Sequence, residues 1–393
     1  MTDSSKLAAI RQELPAVTDC VYLNTGTCGP LPRRAADAIC RETGHELNHG
    51  RIDFDDFVRV FEAVGQVRQS LARLLGADAD EIALTHHTTD GMNIGTWGLD
   101  WRPGDELITT TLEHEGGLMP AYMAGRRQRL GLRVVDLGAG EGDVVGQLEA
   151  AITPRTRLIS LSHVSYTTGA RLPLAEIVDM AHRHHVLVLV DAAQSAGAIQ
   201  FDAQQLGVDM VAVPGQKWLC GPEGIGALYV RRDCWSMLSP TFVGFLSLWP
   251  DMKMDRTGQF LLSPDARRYE IGSRFRPGVF AMLESLRWLE DPAEVGWEWA
   301  FRRIEHLAHV AAGLLDDLPG VRLVTPANRA GLISFAVDGP GPDQLVAALA
   351  ERRIRVRAIH PLDCLRASTG FYNTEEDLTA LRDALAQVMH ELA

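Results

Sequence analysis

The sequence predicts an α/β protein with a mostly parallel seven-stranded sheet in a large domain and a smaller α+β domain at the C-terminus. Three observations carry this. Apolar runs of strand length alternate with helical patterns through the first two-thirds of the chain, the βαβ signature of a parallel sheet. Two of those runs end close to residues of opposite charge, Asp191 and, 26 residues later, Lys217. A length of 393 residues suits one large core and a smaller second one.

Met1 to Asp19 mixes charges with Pro15 and has no apolar block. It reads as an arm, residues 1–20, packing with the small domain, not as a secretion signal. The strands follow within a large domain of residues 21–265: Ile82 to Thr85, Glu106 to Thr109, Leu132 to Val135, Leu158 to Leu161, Val186 to Val190, Met210 to Val213 and Gly226 to Val230. Helices fill the gaps, for example Leu174 to His185. From Cys234 to Arg268 the periodicity fades among Ser239-Pro240, Trp249-Pro250 and Ser263-Pro264, which reads as a long loop region. The small domain, residues 266–393, takes Pro277 to Glu290, a helix around Trp297 to Leu315, the strand-like Gly331 to Val337 and a final amphipathic helix with Leu378, Leu381, Leu385, Val388, Met389 and Leu392 on one face.

Composition narrows the function classes. The net charge of −13 argues against nucleic acid, which asks for a basic stripe. No apolar stretch approaches the roughly 20 residues that cross a bilayer. Six scattered cysteines without a CxxC pair fit neither a disulfide scaffold nor a structural zinc site, so a reduced, cytoplasmic setting without metal is expected. His182, His184 and His185 close a helix, where cations suit the carboxyl end.

Open α/β sheets present ligands at their strand ends. An amine and a carboxylate placed there suit pyridoxal 5′-phosphate: the lysine condenses with its aldehyde, and the acid keeps the pyridine nitrogen protonated so that the ring withdraws electrons. One decoy stands beside this pair. Val134 to Gly142, with Gly138-Ala139-Gly140, looks like the strand and glycine loop of S-adenosylmethionine methyltransferases. The next strand, however, ends in Ser162-His163, where a ribose-gripping acid is expected, so a methyltransferase is the distant alternative.

Asp191-Ala192-Ala193-Gln194, Gly215-Gln216-Lys217-Trp218 with Gly221 to Gly226, Thr88-Thr89-Asp90-Gly91-Met92-Asn93 and Glu113-His114 together resemble the class V aminotransferase family, from about Tyr22 to the C-terminus. That family of fold-type-I pyridoxal-phosphate enzymes includes cysteine desulfurases, isopenicillin N epimerases and cysteine or cystine C–S lyases. The resemblance implies that Lys217 carries the cofactor, Asp191 pairs with its pyridine nitrogen, Gln194 donates to its phenolic oxygen and His114 stacks on its ring. Thr88 and Thr89 would bind the phosphate at a helix amino terminus. The chain departs from its relatives at Pro214-Gly215-Gln216, where Ser/Thr-Gly-His is common; Gln216 can still donate. Glu270-Ile271-Gly272-Ser273 matches a Glu-x-Gly step, so Ser273 is expected to reach the partner's phosphate in a homodimer with shared active sites.

Substrate recognition is expected in the small domain. Arg357 and Arg366 bracket Ile359-His360-Pro361-Leu362-Asp363-Cys364, and a guanidinium fork matches an amino-acid α-carboxylate. Tyr166, where the resemblance places asparagine in many relatives, is expected to shape the substrate pocket, with simple core packing as the alternative. His86 and His87 cannot both face the cofactor, since neighbouring residues in an extended segment point opposite ways. Desulfurases need a thiol on a mobile loop between the two arginines, and the one cysteine here lies two residues from Arg366. The expectation is therefore β-elimination from a cysteine S-conjugate or a cystine-type amino acid, giving a thiol or persulfide, pyruvate and ammonia. Epimerisation, transamination and decarboxylating deamination are the alternatives.

Overall fold

The computed structural model describes every residue except Met1, Met252 and Ala393, so the first and last residues of the expected arm and small domain lie outside the described residues. The large sheet has seven strands: β1 (Ile82–Thr85), β2 (Glu106–Thr110), β3 (Gly131–Val135), β4 (Thr156–Ser162), β5 (Leu187–Asp191), β6 (Met210–Pro214) and β7 (Gly226–Val230), in the spatial order β1-β7-β6-β5-β4-β2-β3. The pairs β2/β3, β2/β4, β4/β5 and β5/β6 are parallel, while β7 runs antiparallel between β6 and β1. Strands β1, β2, β6 and β7 are buried at every residue. This explains why β6 and β7 read as near-continuous apolar runs without alternation. The edge strand β3 is exposed at Arg133 and Val134, and of the glycines in the turns that follow, Gly140 is tightly packed: a Cβ on it would sit 2.6 Å from that of Ala170.

Because β1 and the parallel strands share one direction, Thr85, Thr110, Ser162, Asp191 and Pro214 all end on one crest. Helix α1 (Thr88–Trp97) starts from this crest and lies directly on the sheet. A Cβ on Gly91 would meet that of Ala212 at 2.7 Å, and one on Gly95 would meet Leu189 Cδ1 at 2.8 Å. Glycine four residues apart therefore sets the closeness of helix to sheet. Helix α2 (Glu115–Gln128) starts from the same crest after β2. Between β4 and β5 lies α3 (Leu174–Arg183); it ends short of His185, which adopts φ 58°. His182 pairs with Asp209 at 3.0 Å and His184 with Glu149 at 2.9 Å, so the histidines at this helix end have separate partners.

Helix α4 (Arg276–Glu290) buries Val279, Met282, Leu283, Leu286 and Leu289 in the same core as the large sheet. Helix α5 (Trp297–Asp316) spans both cores, with Ala300 and Ile304 in the first and Leu307, Ala311 and Leu315 in the second. The second core lies under a four-stranded antiparallel sheet of β8 (Val321–Leu323), β9 (Leu332–Val337), β10 (Arg357–Ile359) and β11 (Cys364–Ser368), ordered β10-β11-β9-β8, and under α6 (Glu375–Leu392). The N-terminal segment is fastened on both sides: Ile10, Leu14 and Val17 enter the first core, and Arg11 reaches Asp377 of α6 at 3.0 Å. Among the described residues no helix is long and apolar enough to cross a membrane.

Candidate active site

The crest of the sheet, the loop Gly26–Thr27 and strands β10 and β11 enclose one cavity of about 630 Å³ including its mouth. It is lined by Thr88, Thr89, His114, Tyr166, Asp191, Gln194, Gln216, Lys217, Arg357 and Arg366. Ten of the eleven residues singled out in the sequence thus meet in one place, although they are spread over 279 positions from Thr88 to Arg366. Ser273 does not. It is exposed beside Arg51, Arg274 and Arg276, lining a separate cavity.

Lys217 leaves the chain in the turn after β6. Burial lowers its amine to about 8, opposed by the carboxylate of Asp191, while Arg366 and Arg357 push it further down. Asp191, the last residue of β5, is buried and accepts the N–H of Ala193 at 2.8 Å. Burial raises its proton affinity, and Lys217, that N–H and His114 oppose the rise. Gln194 is held at both ends: it donates to the carbonyl of Gly26 at 2.8 Å, and its oxygen accepts the Trp218 indole N–H at 3.0 Å. That pairing fixes which end carries the hydrogens and leaves one N–H for the cavity.

His114 caps α2, its Nδ1 accepting the N–H of Gly116 at 3.0 Å, which places the proton of the neutral ring on Nε2. Its proton affinity is lowered, first by burial and then by Lys217. Tyr166 stands edge-on to it, with ring centroids 4.9 Å apart at 78°. At the other end of the cavity Thr88 and Thr89 open α1, where unpaired amides and the helix dipole favour an anion. His87 lines this end too, while His86 turns to Asp90 at 2.8 Å and a second cavity. The side chain of Gln216 has a buried oxygen with no partner among the described residues.

Arg357 and Arg366 face each other directly across β10 and β11. Two like charges in such register repel, and Arg366 is 1% exposed. Its guanidinium donates to the Tyr166 carbonyl at 2.8 Å and to Thr27 Oγ1 at 3.3 Å; Arg357 donates to the same hydroxyl at 3.0 Å. Nε of Arg366 has no partner, and neither arginine has a carboxylate within ion-pair distance among the described residues. A bound carboxylate would answer both deficits. Cys364, by contrast, is fully buried in β11, register-paired with Ile359, and burial raises its thiol to about 11. Thr27, Gly26 and His87 carried no readable sign in the sequence beyond the alternation of the two histidines. Thr27 lies 330 residues before Arg357, and only the fold brings them together.

Comparison with known proteins gives a consistent result. The model of the aminotransferase class V family matches residues 21–381. The isopenicillin N epimerase of Streptomyces clavuligerus is 33% identical, covering 93% of this chain and 94% of its own length. A probable cysteine desulfurase of Mycolicibacterium paratuberculosis is 28% identical over 97% of this chain, which spans only 58% of that relative. Among solved structures, the cystine C–S lyase C-DES in complex with its product cysteine persulfide superposes with a TM-score of 0.89 at 33% identity, covering 95% of this chain and 99% of that one. A lysine-to-alanine variant of C-DES, with glycine covalently linked to its PLP cofactor, gives 0.90 at 33% identity, covering 96% and 98%.

Proposed function

The chain belongs to the aminotransferase class V family, and from that premise we propose that it is a pyridoxal-phosphate enzyme that cleaves the carbon–sulfur bond of a cysteine derivative by β-elimination. The residues fit the cofactor. An amine and a buried carboxylate share the cavity, and a helix amino terminus with two threonine hydroxyls closes one end. The unpartnered amide of Gln216, turned over, offers N–H groups to a phosphate. Gly116 keeps that end open, since a Cβ there would sit 2.6 Å from Thr89 Oγ1.

When bound, pyridoxal phosphate supplies an electron sink conjugated to the substrate's Cα. The protein's own groups do the rest. Arg366 and Arg357 hold the α-carboxylate in a bidentate fork. Lys217, with its amine at about 8, takes the Cα proton near neutral pH. Asp191 holds a proton at the pyridine nitrogen, and Gln194 gives its free N–H to the phenolic oxygen. Bond breaking then releases the sulfur as thiol or persulfide, and one water converts the remaining carbon skeleton to pyruvate and ammonia.

The observation that carries elimination without an enzyme-bound sulfur carrier is the placement of Cys364. A buried strand residue with a raised thiol pKa lacks the exposure and the thiolate a carrier needs. A second reading, epimerisation, is favoured by the 33% identical epimerase and by Tyr166 and His114, which put further proton-bearing groups in the cavity that Lys217 lines. Incubation with L-cystine and with S-alkyl cysteines separates the two: elimination produces pyruvate, and epimerisation produces the D-amino acid without it.

A homodimer completes this reading. Phe275 lines the same cavity as Ser273, and exposed Phe242 and Ile271 line a second cavity with Gly272 beside it, exposed apolar side chains suited to a second copy. Ser273 lies outside its own chain's cavity, so its route to a phosphate runs through that copy.

A further inference from the structure

One buried acid at the crest has no part in the chemistry above. Glu113 follows β2 and directly precedes His114, yet it does not line the cavity. Its carboxyl accepts Thr110 Oγ1 at 2.6 Å on one oxygen and Ser162 Oγ at 2.6 Å on the other. A single side chain thus clamps the ends of the adjacent strands β2 and β4. Ser162 is the register partner of Asp191 on β5, and the N–H of His163 donates to the Asp191 carbonyl at 3.1 Å. No cation lies within ion-pair distance of Glu113 among the described residues. The charged group that reaches it is Asp191; Thr110 and Ser162 are neutral, and His114 caps α2 toward the cavity.

We propose that Glu113 is a positioning residue that sets the charge environment of Asp191. Protonated, it leaves Asp191 the single anion of this part of the crest; ionised, it places a second negative charge behind Asp191 and strengthens the hold on a proton at whatever nitrogen Asp191 pairs with. The consequence for the cofactor rests on the pyridoxal-phosphate reading, whereas the clamp and its ionisation do not. The proton exchanged comes from and returns to solvent, and no other bond changes.

Burial raises the Glu113 carboxyl to about 7 against its usual 4.5; the hydroxyls of Ser162 and Thr110 oppose the rise and Asp191 adds to it. A folded-state value above the unfolded one means that protonation favours the fold. That contribution is complete below about 4.5 and is lost as pH rises through about 7. In the folded protein the second charge beside Asp191 would appear only as pH passes through about 7.

The test uses the pyridoxal-phosphate-loaded protein, its Glu113→Gln variant, which keeps the shape and cannot ionise, and Glu113→Asp, which can. Visible spectra and melting temperatures are recorded between about pH 5 and about pH 8. The wild type is expected to show a spectral step near neutral pH that Glu113→Gln lacks and Glu113→Asp retains at a displaced pH. Its melting temperature should also fall more steeply with rising pH than that of Glu113→Gln. An identical spectral step and an identical melting slope in Glu113→Gln overturn the proposal. If that variant does not fold, Glu113→Asp decides, and a step at the wild-type pH counts against it. A protein that takes up no cofactor sinks the cofactor reading, while the melting profiles still decide whether Glu113 ionises in the fold.

Discussion

Arg366 is a buried cation whose nearest charged neighbour across the sheet is another cation, an arrangement that raises the free energy of the unliganded fold. Arg366→Ala should therefore leave the visible spectrum of the bound cofactor nearly intact and weaken substrate binding by about 1.5–3 kcal/mol, one to two decades in affinity. Lysine should restore only part of this, because a point charge cannot reproduce the fork. Spectral titration of each variant with a cysteine derivative measures it, and unchanged affinity in Arg366→Ala would place the carboxylate elsewhere. Arg366→Met, an apolar side chain of similar reach, should melt no lower than wild type without substrate, since it removes an uncompensated charge; a large fall in melting temperature would contradict that. Lys217→Ala should abolish the visible band without unfolding the chain, and a retained band would show that another amine carries the aldehyde.

At the scale of elements, the crest exists because helices lie close enough to the sheet to aim their amino termini at one place. Gly91 is a test of that closeness. Its replacement by alanine forces a Cβ to 2.7 Å from Ala212, an overpacking that costs about 1–3 kcal/mol and lifts the Thr88–Thr89 end away from the phosphate. Lower thermal stability together with weaker pyridoxal-phosphate retention is the expected pair of results, and loss of stability alone would leave α1 without a role in the cofactor site. Cys364→Ser exchanges a buried strand thiol for a hydroxyl and should retain most turnover on a cysteine S-conjugate; complete loss with an intact fold would revive a sulfur-carrying thiol. Most of the seven strands were readable because burial on both faces makes them largely apolar, as in Val188–Val190 and Met210–Val213, and Asp191 and Lys217 because they follow two such runs. Other features had no local signal. Arg357 and Arg366 were visible as a pair, but their direct opposition depends on the register of β10 and β11. Thr27, which holds both, sits in a loop whose sequence resembles any other turn. Likewise the helix Pro277 to Glu290 has the periodicity of an ordinary amphipathic helix, and nothing local indicates that its apolar face completes the larger core.

A shared active site needs two copies of the chain. If Ser273 supplies a hydroxyl to the partner's phosphate, Ser273→Ala should weaken pyridoxal-phosphate binding roughly tenfold or more, the value of a hydrogen bond to a charged group, while leaving the protein dimeric by light scattering; a monomeric wild type would remove the basis for a shared site. The proposed function turns on whether the assembled site breaks a carbon–sulfur bond and passes the sulfur out with the product. The most direct test is one incubation of the loaded enzyme with L-cystine and a panel of cysteine S-conjugates, with pyruvate, alanine, D-amino acid and released thiol or persulfide quantified together. Pyruvate and sulfur product in equal amounts, with no persulfide on the enzyme, are the expected result. Alanine accompanied by an enzyme-bound persulfide, or inversion at Cα without pyruvate, would contradict it.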